Sequence, residues 1–488
     1  MSNRPLKKIT KSLLDFDSGI FDTAIKISGV VINADQVKAG DLFIALPGAK
    51  THGANFIEKA IANGAVAVLS DKKLAVSIPS FTHDMPREVV GLISAWFYEL
   101  PFSKLTAIGI TGTNGKTTTA NLLKQFWDLS GHNAGLIGTL GVEIGKESIA
   151  GVRTTPEADQ LQSMAALMVE QELTHLAMEV SSHAIDQGRI EGTHYKVVAF
   201  TNLTQDHLDY HKSMKNYFNV KAKLFTAGYA DSAIINIDNE YGIELSHQSK
   251  IPVTTVSRFD ITADWHYLSA VSKKYGFEVE IGNKNNKKIS AEFNLLGEYN
   301  LDNLLIAVAL ASSTGLSDEQ IAFAIPRLQS VPGRLEKVIA GQSFAALVDY
   351  AHTPDAVERV LETARSFTSG KLIAVLGCGG DRDSSKRLFM GKALFAGSDI
   401  AIFTSDNPRS EDADQILKAM TAGVELADKG FVLSDRKAAI NFAVKQAGKD
   451  DTVLVLGKGH ESGQDINGVV TPFDDRLELA DSIKQVNK

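Results

Sequence analysis

A glycine-rich segment that follows an apolar run constrains this chain more than any other feature. Residues 105–110 predict a buried strand, a helical pattern runs on to Gly131, and between them stands Gly112-Thr113-Asn114-Gly115-Lys116-Thr117-Thr118-Thr119. A strand, a glycine turn and a helix N-terminus together aim backbone N–H groups and the positive end of a helix dipole at phosphate. Lys116 would bridge the β- and γ-phosphates, and the Thr117 hydroxyl would bind Mg²⁺. The segment predicts ATP binding, whereas the alternative is a chance Gly-Lys-Thr in an ordinary turn.

Composition and charge narrow the class of protein. At 488 residues the chain has room for about three domains. The net charge of −8 and the lack of a long basic block argue against a nucleic-acid partner. The single cysteine, Cys378, cannot form an internal disulfide and is typical of a reducing compartment. Without a signal-peptide core, or an apolar run approaching the ~20 residues that span a bilayer, we expect a cytoplasmic protein without membrane insertion. We also expect a monomer, although no pattern in the sequence reveals the oligomeric state.

Local patterning divides the chain into three blocks, residues 1–101, 102–334 and 335–488. The first mixes short strands with helices, whereas the other two alternate strands with helices, as mostly parallel α/β sheets do. The segment Val331-Pro332-Gly333-Arg334 predicts a hinge, because proline and glycine interrupt both periodicities. The predicted buried strands of the last two blocks are residues 176–180, 197–201, 233–237, 372–376, 400–404 and 453–456.

Glu179 ends an apolar strand of the second block. Ligand-handling groups of α/β sheets stand at the carboxyl ends of strands, and Mg²⁺ prefers oxygen ligands, so Glu179 could complement Thr117 as a metal ligand. An ordinary solvated glutamate is the alternative. Downstream, His207 and His211 are four residues apart, but no glutamate follows the first, so a zinc helix of the His-Glu-x-x-His kind is excluded.

Two asparagines, Asn300 and Asn303, stand just before an apolar helix that the pattern predicts over residues 304–310. They would lie on one helical face, where an amide can donate to and accept from an adenine edge. Capping of the helix N-terminus by an asparagine is an equally good explanation.

Three predicted strands of the third block each end in an unusual loop. These loops, here called the first, second and third late loops, are Gly377-Cys378-Gly379-Gly380-Asp381-Arg382-Asp383, Asp406-Asn407-Pro408-Arg409 and Gly457-Lys458-Gly459-His460-Glu461. Loops at the carboxyl ends of parallel strands would converge on one crevice, and these charges suit a zwitterionic amino acid. The first loop lacks the Gly-x-Gly-x-x-Gly spacing of a dinucleotide fingerprint, and any single loop could be simple turn chemistry.

Together these motifs resemble the Mur ligases of peptidoglycan precursor synthesis, and among them the MurE type. The likeness covers nearly the whole chain, and the motifs occur in family order. Beyond the phosphate loop and the three late loops, it rests on residues 179–183, 206–211, 297–303, 332–334 and 349–354. The resemblance implies an α/β protein of three domains: an N-terminal uridine-binding domain, a central P-loop ATPase-like domain with a parallel sheet, and a C-terminal Rossmann-like domain that binds the amino acid.

The resemblance also implies a reaction. ATP, UDP-N-acetylmuramoyl-L-alanyl-D-glutamate and a diamino acid would give the tripeptide precursor, ADP and phosphate, through an acyl phosphate. Two anions must meet first, and Lys116 with Mg²⁺ on Thr117 and Glu179 would supply the cations that this requires. A second Mg²⁺ is implied at Glu179 and His207, supported by a carbamylated Lys221 (N6-carboxylysine). From the residues alone, Lys221 is a solvated helix lysine.

Residue-by-residue matching to the family assigns further contacts. Asn303, Arg334 and Asp349 would contact the nucleotide. The UDP-muramoyl substrate would contact Ser28, Thr154, Thr155, Ser181, Gln187 and Arg189. One departure lies in the first domain, where the family usually has Asp-Ser-Arg and this chain has Asn33-Ala34-Asp35.

The second late loop bears on the choice of amino acid. meso-Diaminopimelate has one carboxylate more than lysine at its far end, and an arginine fork matches a carboxylate bidentately. Asp406-Asn407-Pro408-Arg409 is the diaminopimelate-type version of the family motif. The resemblance therefore implies a pocket formed by Arg382, Asp406, Asn407, Arg409, Gly457 and Glu461.

Rival interpretations stay open on the sequence. Within the superfamily they are the D-alanyl-D-alanine-adding ligases and the folylpolyglutamate synthases, although neither is expected to carry the late loops in this form. A nucleotide-binding regulatory protein without catalysis and a dehydrogenase are the alternatives from other classes. Because ATP residues fall in the second block and amino-acid residues in the third, the sequence also predicts domain closure near Gly333.

Overall fold

Three main sheets follow one another along the chain, each covered by helices. The computed structural model describes residues 4–5, 7–48, 51–145, 147–149, 153–273, 276–285 and 287–486. The sheets belong to an N-terminal, a middle and a C-terminal unit, and most of their strands are parallel. The predicted α/β class with three units is thereby confirmed, whereas the exact domain boundaries stay predictions. Among the described residues, no helix is both long and apolar enough to cross a membrane.

The N-terminal unit has a four-stranded parallel sheet whose spatial order equals the chain order. Its strands are Gly29–Val31, Asp41–Ala45, Ala67–Ser70 and Ser80–Thr82. Its helices are Ile57–Ala62 and Pro86–Phe97, with a small antiparallel ribbon of Lys11–Ser12 and Lys26–Ile27 beside them. Apolar side chains are buried on both faces of the sheet, so the unit has its own core.

The middle unit has an eleven-stranded sheet in which seven central strands are parallel and two strands at each edge are antiparallel. The spatial order is Glu147–Ile149, Gly141–Ile144, Ala134–Gly138, His175–Glu179, Thr106–Thr111, Tyr195–Phe200, Ala230–Asn236, Val253–Ser257, Trp265–Lys273, Gly276–Asn283 and Lys288–Phe293. The strand before the phosphate loop is central, which fixes that loop among the carboxyl ends of its neighbours.

Helices cover both faces of the middle sheet. They are Lys116–Leu129, Ala158–Glu170, Ser182–Asp186, Leu208–His211, Met214–Ala222, Glu240–Gln248, Tyr299–Ser313 and Asp318–Ala324. On one face Phe126, Trp127 and Leu304 are fully buried, and on the other Met168 and Phe200 are. Burial of such side chains contributes roughly 1.5–3 kcal/mol each, so the helix behind the phosphate loop is held firmly.

The C-terminal unit has a six-stranded sheet, parallel except for its first strand. The spatial order is Glu336–Lys337, Ala345–Asp349, Thr452–Leu456, Leu372–Cys378, Ile400–Ser405 and Gly430–Val432. Its helices are Pro354–Phe367, Lys386–Gly397, Ala413–Thr421, Arg436–Gln446 and Asp475–Val486. An antiparallel hairpin of Gly463–Ile466 and Val469–Pro472, here called the late hairpin, precedes the last helix.

The predicted strands occur where the patterning placed them, with ends displaced by at most three residues. The helix that begins near Asn300 differs more, because it extends over Tyr299–Ser313. Its N-cap is Glu298, and Asn300 lies inside the helix with its amide donating to Leu296 O at 2.7 Å. Capping by an asparagine is therefore wrong for this helix, since the helix starts earlier than the apolar pattern does.

Candidate active site

One cavity of about 950 Å³ lies between the middle and C-terminal units. It contains the carboxyl ends of strands from both sheets, the place where α/β proteins bind ligands. Of the predicted residues, its wall includes Thr113, Asn114, Gly115, Lys116, Thr117, Thr118, Thr154, Thr155, Glu179, Ser181, Arg189, His207, Asn303, Arg334, Asp349, Arg382, Asp406, Asn407, Arg409, Gly457 and Glu461. The other four, Ser28, Gly112, Gln187 and Lys221, lie outside the described wall.

The backbone of the phosphate loop packs tightly against its neighbours at two glycines. Gly112 has φ 149°, and a Cβ there would lie 1.9 Å from Thr201 Oγ1. Gly115 has φ 86°, and a Cβ there would lie 2.4 Å from Asn303 Oδ1. The Thr201 hydroxyl also donates to the Asn114 carbonyl at 2.6 Å. Any side chain at these two positions would displace the loop, so close approach and backbone conformation both require glycine.

The Lys116 side chain folds back over the loop. Its Nζ donates to the carbonyls of Gly112 at 2.9 Å and Thr113 at 2.8 Å. Burial lowers the pKa of the Lys116 ammonium, and the carboxylates of Glu179 and Asp206 act in the opposite direction. Since Lys116 also begins the helix Lys116–Leu129, the ammonium and the helix N-terminus point at the same volume, which suits an anion.

The Glu179 carboxylate is buried beside the phosphate loop. Its Oε2 accepts from the Thr117 hydroxyl at 2.9 Å and the Thr139 hydroxyl at 3.1 Å, and its Oε1 accepts from the Thr139 N–H at 2.8 Å. Adjacent carboxylate and hydroxyl oxygens form a donor set that fits Mg²⁺. Among the described residues, no group of three or more His, Cys, Asp and Glu side chains is arranged to hold a metal.

Lys221 is buried beneath the phosphate loop and is not the solvated lysine that its sequence suggests. It is 1 % exposed, and its Nζ donates to the Gly112 carbonyl at 2.9 Å and to Thr111 Oγ1 at 3.3 Å. The same Nζ lies 4.7 Å from the ring centre of Tyr217. Burial, followed by the charge of Lys116, places the pKa of Lys221 well below its usual value. Both effects favour the neutral form of this amine relative to that of an exposed lysine.

A cluster around the buried Asp206 and Lys386 joins the middle unit to the C-terminal unit. The Lys386 Nζ, from the C-terminal unit, lies 3.3 Å from Asp206 Oδ1 in the middle unit. His207 Nε2 lies 3.3 Å and His352 Nε2 3.9 Å from Asp206 Oδ2. Burial raises the pKa of Asp206, but Lys386 and the two histidines outweigh it and hold the pKa far below the usual value. His207 thus stands next to a carboxylate at the contact between the two units.

The predicted nucleotide residues meet between the phosphate loop and the C-terminal unit. Asn303 donates to Asn300 Oδ1 at 3.0 Å, which orients its amide oxygen toward the loop. Both oxygens of the Asp349 carboxylate accept backbone N–H groups at 2.7 Å. The Arg334 guanidinium lies 4.7 Å above the ring of Tyr350. Each side chain is held in place by a partner before any ligand binds.

The residues predicted to contact the muramoyl substrate form a network around Thr155. Its hydroxyl donates to the Glu179 carbonyl at 2.9 Å and accepts from the Ser181 N–H at 3.1 Å. Arg189 Nε lies 3.2 Å from a Glu157 oxygen, and the other oxygen of Glu157 pairs with Arg87 of the N-terminal unit at 3.0 Å. The N-terminal unit therefore contacts this side of the cavity through an ion pair.

The other three residues predicted to contact the muramoyl substrate are Thr154, Gln187 and Ser28. Thr154 Oγ1 lies 3.1 Å from Thr139 Oγ1, at the edge of the cavity. Gln187 donates to the Tyr210 hydroxyl at 3.4 Å. Ser28 donates to a backbone carbonyl of the N-terminal unit at 3.0 Å, and the structure does not bring it to the cavity wall.

The second and third late loops are joined by their side chains. Asn407 donates to Glu461 Oε2 at 2.8 Å and accepts from Lys458 Nζ at 3.0 Å. Lys458, fully buried, also lies 3.6 Å from an Asp406 oxygen. A Cβ at Gly457 would lie 2.8 Å from Asp406 Oδ2. Burial, then the neighbouring Asp406, raises the pKa of Glu461. The two loops thus form one charged wall.

Arg409 has a left-handed backbone conformation, with φ 53°. The late hairpin holds it, since the Arg409 N–H donates to Asp465 O at 3.0 Å and its carbonyl accepts from the Asn467 N–H at 2.7 Å. The guanidinium donates to Gly380 O at 2.7 Å, which leaves further N–H groups for a ligand. Arg382 is exposed at the cavity mouth.

Comparison with known protein families matches all three units. The Mur ligase family catalytic domain matches residues 26–95, the Mur ligase middle domain residues 110–311, and the Mur ligase glutamate ligase domain residues 333–459. A protein of Streptomyces coelicolor named UDP-N-acetylmuramoyl-L-alanyl-D-glutamate–2,6-diaminopimelate ligase is 44% identical over 95% of this chain and 94% of its own length. The chain belongs to the Mur ligase family.

Other relatives of this Mur ligase agree. A protein of the same name from Geobacillus thermodenitrificans is 40% identical over 94% of this chain and 95% of its own length. A solved structure with that name is 32% identical, with a TM-score of 0.69, and covers 98% of this chain and 100% of the other. The MurF ligase of Thermotoga maritima in complex with ADP, only 16% identical but with a TM-score of 0.66 over 94% of this chain and 97% of its own, shares the fold.

Three residues of the Mur ligase site were not predicted from the sequence. Lys458 stands between two glycines, a context typical of a solvated loop, and its burial depends on residues distant in the chain. Asp206 adjoins His207, but its partner Lys386 comes 180 residues later. Thr139 directly follows the strand Ala134–Gly138, so its position at a strand end was the available signal.

We expect Gly112→Ala to abolish tight nucleotide binding, because its Cβ would overlap Thr201 and shift the loop. Isothermal titration with ADP should show an affinity at least about tenfold lower, a loss of ~1.4 kcal/mol. Gly131→Ala is the matched control: its φ of 84° is also left-handed, but a Cβ there meets no atom within 4 Å. That variant should lose only ~1–2 kcal/mol of stability and keep its ADP affinity. Equal affinity in both variants would contradict the assigned loop.

Proposed function

We propose that this Mur ligase joins meso-diaminopimelate to UDP-N-acetylmuramoyl-L-alanyl-D-glutamate with conversion of ATP to ADP and phosphate. The observation that carries the proposal is that the phosphate loop and the Asp406–Arg409 loop open into one cavity. The names of the relatives at 44% and 40% identity support the same reaction. An amide is thus formed where a triphosphate and a diamino acid can lie side by side.

The first step moves the γ-phosphoryl group from ATP to the D-glutamate carboxylate. A carboxylate is inert to amines until one of its oxygens becomes part of a leaving group, and the acyl phosphate provides one. Because carboxylate and triphosphate are both anions, the step needs cations in a water-poor site. Lys116 and the helix N-terminus behind it supply positive charge. Thr117 and Glu179 would hold Mg²⁺, which when bound neutralises phosphate charge.

The second step forms the amide bond. The amino nitrogen of the diamino acid attacks the acyl carbon, the bond to the phosphate oxygen breaks, and the nitrogen loses a proton. Binding both reactants in the correct orientation makes a bimolecular step effectively unimolecular, and this supplies much of the rate acceleration. The cluster of Asp206 with Lys386 supports this arrangement, since it joins the unit with the phosphate loop to the unit with the late loops.

A smaller cavity of about 340 Å³ supports the assignment of the nucleotide residues. Its wall includes Thr118 of the phosphate loop, Asn300 and Arg334, together with apolar residues such as Leu295 and Leu328. An apolar slot with a few amides suits a purine base. We place the base there, with Asn303 and Arg334 beside the nucleotide and Asp349 near the ribose.

The muramoyl substrate is placed on the side of the cavity that faces the N-terminal unit. Thr154, Thr155 and Ser181 offer hydroxyl groups, and Arg189 offers a cation at the anionic end of the dipeptide. Gln187 would orient Arg189, and Ser28 would act farther off, toward the uridine. The ion pairs of Glu157 with Arg87 and Arg189 support an approach of the N-terminal unit to this substrate.

The diamino acid is placed against the wall of late loops. Arg409, with Arg382 nearby, would bind the distal carboxylate, and Asn407, Asp406, Gly457 and Glu461 would bind its amino group and neighbouring atoms. Lysine would leave Arg409 without its carboxylate. A site built around such contacts can reject the analogue by roughly 10⁴–10⁵.

We further propose closure of the C-terminal unit on the middle unit about Gly333. The glycine has φ 68°, and a Cβ there would lie 2.4 Å from His460 N, so the hinge packs directly on the third late loop. Because His460 adjoins Glu461, movement at the hinge would move the amino-acid wall. A cytoplasmic monomer is the proposed state of the protein; its one cysteine, Cys378, is a buried free thiol.

Phosphate release tests the proposed reaction directly. With ATP, Mg²⁺ and the UDP-muramoyl dipeptide present, meso-diaminopimelate should start phosphate release, and L-lysine should give almost none. Equal release with lysine would keep the ligase and overturn the assigned pocket. No release with either would favour another ligase of the superfamily or a protein without catalysis.

Arg409→Ala should chiefly raise the KM for meso-diaminopimelate, by on the order of a hundredfold, because a charge-assisted bidentate contact contributes ~1.5–3 kcal/mol. The KM for ATP should stay unchanged, since Arg409 is on the other side of the cavity from the phosphate loop. Steady-state kinetics with one substrate varied at a time separates the two constants. Unchanged diaminopimelate kinetics would remove Arg409 from the pocket.

Lys221 should carry a carbamate, as the resemblance to the family implies; its amine is buried beneath the phosphate loop, and burial lowers its pKa toward the form that adds CO₂. Protein incubated with ¹³C-bicarbonate should show one labelled carbamate by NMR, and Lys221→Ala should lose both the signal and most of the activity. Lys223→Ala is the control, since Lys223 lies two residues away with its side chain 57% exposed. Full activity of Lys221→Ala, independent of bicarbonate, would exclude the modification.

A further inference from the structure

Arg436 is a fully buried cation outside the cavity wall, and the reaction described above does not use it. It begins the helix Arg436–Gln446, and its guanidinium and the Asp475 carboxylate are both 0% exposed. Two parallel hydrogen bonds join them, from Nε at 2.8 Å and from Nη2 at 2.7 Å. A fork-to-fork pair of this kind fixes orientation as well as distance.

Two further N–H groups of Arg436 bond to the backbone at the ends of two strands. Nη1 donates to Ser405 O at 3.2 Å, and Nη2 donates to Leu456 O at 2.8 Å. Ser405 is the last residue of Ile400–Ser405, and Leu456 is the last residue of Thr452–Leu456. The very next residues are Asp406 and Gly457, where the second and third late loops begin. One rigid side chain therefore joins the starting points of both loops.

These two strands are not neighbours in the sheet. Leu372–Cys378 lies between Ile400–Ser405 and Thr452–Leu456 in the spatial order. No ladder of hydrogen bonds connects the two strands directly. The sheet therefore fixes the distance between their loops only indirectly, through the strand that lies between them. Arg436 spans that gap with a planar group whose N–H directions are fixed.

The charges of the Arg436–Asp475 pair are better explained by the positions they give to the two strand ends than by a contribution to the stability of the fold. Exchanging a buried ion pair for well-packed apolar residues is often neutral or even stabilising. An apolar side chain at 436, however, could not donate to Ser405 O and Leu456 O. The guanidinium is also electrostatically attracted to Asp406 and Glu461, the carboxylates that the two loops carry.

We propose that the Arg436–Asp475 pair is a positioning element that sets the separation of the second and third late loops and thereby the selectivity for the diamino acid. The inference rests on the proposed function, because it assigns those loops to the diamino acid. Arg409 and Glu461 are on different loops, and a ligand that touches both senses the distance between them. The pair acts through the loops and does not contact the ligand.

The test uses Arg436→Lys and Asp475→Asn in the full chain. A lysine has one ammonium and cannot reproduce the fork that reaches both carbonyls and the carboxylate. In Asp475→Asn the guanidinium keeps its length but loses the anion that orients it. In both variants the KM for meso-diaminopimelate should rise tenfold to a hundredfold, on the order expected for misplacement by about 1 Å, while the KM for ATP stays unchanged. The preference over L-lysine should fall by a similar factor.

Arg365→Lys is the control for the bonding pattern, at an exposed arginine whose side chain is 41% accessible. Arg365 also donates to two backbone carbonyls, of Thr368 and Gly370, and pairs with Asp399. These contacts lie at the opposite end of the same sheet, where the strand Leu372–Cys378 begins. Kinetics are measured well below each variant's melting temperature. The control should keep the wild-type KM for meso-diaminopimelate even where its melting temperature falls.

The outcomes separate this inference from the proposed function. If wild-type protein does not release phosphate with meso-diaminopimelate, the proposed function fails. If wild type is active and folded Asp475→Asn keeps the wild-type KM and selectivity, the positioning role is overturned, whether or not Arg436→Lys folds. A rise in KM that Arg365→Lys matches would indicate general loosening of the unit and would also overturn it. A selective rise in the Arg436 and Asp475 variants alone supports the inference.

Discussion

The carboxyl ends of two parallel sheets face one cavity, and the arrangement of the remaining elements follows from that constraint. A triphosphate is held best by a glycine turn at a helix N-terminus, whereas a diamino acid needs charges at fixed separations. No single loop provides both, so each sheet provides one. The contact of Asp206 with Lys386 brings the two edges together in a buried place, where an unpaired charge is costly and the pair therefore favours one arrangement.

The elements of the sheets were predictable because their strands are long apolar runs between turn residues. The strand before the phosphate loop was expected at 105–110 and lies at Thr106–Thr111. The ends of the strands were less predictable, since hydrogen bonding to neighbouring strands decides where a strand begins and ends. For example, the apolar run at 233–237 belongs to the longer strand Ala230–Asn236, whose first residues pair with Tyr195–Phe200. Asn300 shows the same limit for a helix, because packing extended the helix past the apolar pattern.

The site was predictable where local sequence carries the chemistry, and not where distant residues create it. Gly112 to Thr118 specify the phosphate loop by themselves. Nothing near Lys458 in the chain indicates burial, whereas Lys221 has Tyr217, Phe218, Leu224 and Phe225 three and four residues away, the spacing of a buried helical face. The structure buries both lysines. The resemblance singled out Lys221 but not Lys458. A lysine has a long apolar stem, so local sequence cannot distinguish one that reaches solvent from one whose ammonium is satisfied by oxygens from other segments.

The left-handed backbone of Arg409 limits the evolutionary routes by which amino-acid selectivity can change. At φ 53° a β-branched residue meets its own backbone, whereas glycine, asparagine and aspartate are tolerated there. Short polar residues at this position are compatible with the turn, whereas valine, isoleucine and threonine oppose it. Replacement of Arg409 by a β-branched apolar residue would therefore require the late hairpin to change as well, so backbone geometry, and not only side-chain chemistry, restricts which residues can stand at this position of the proposed pocket.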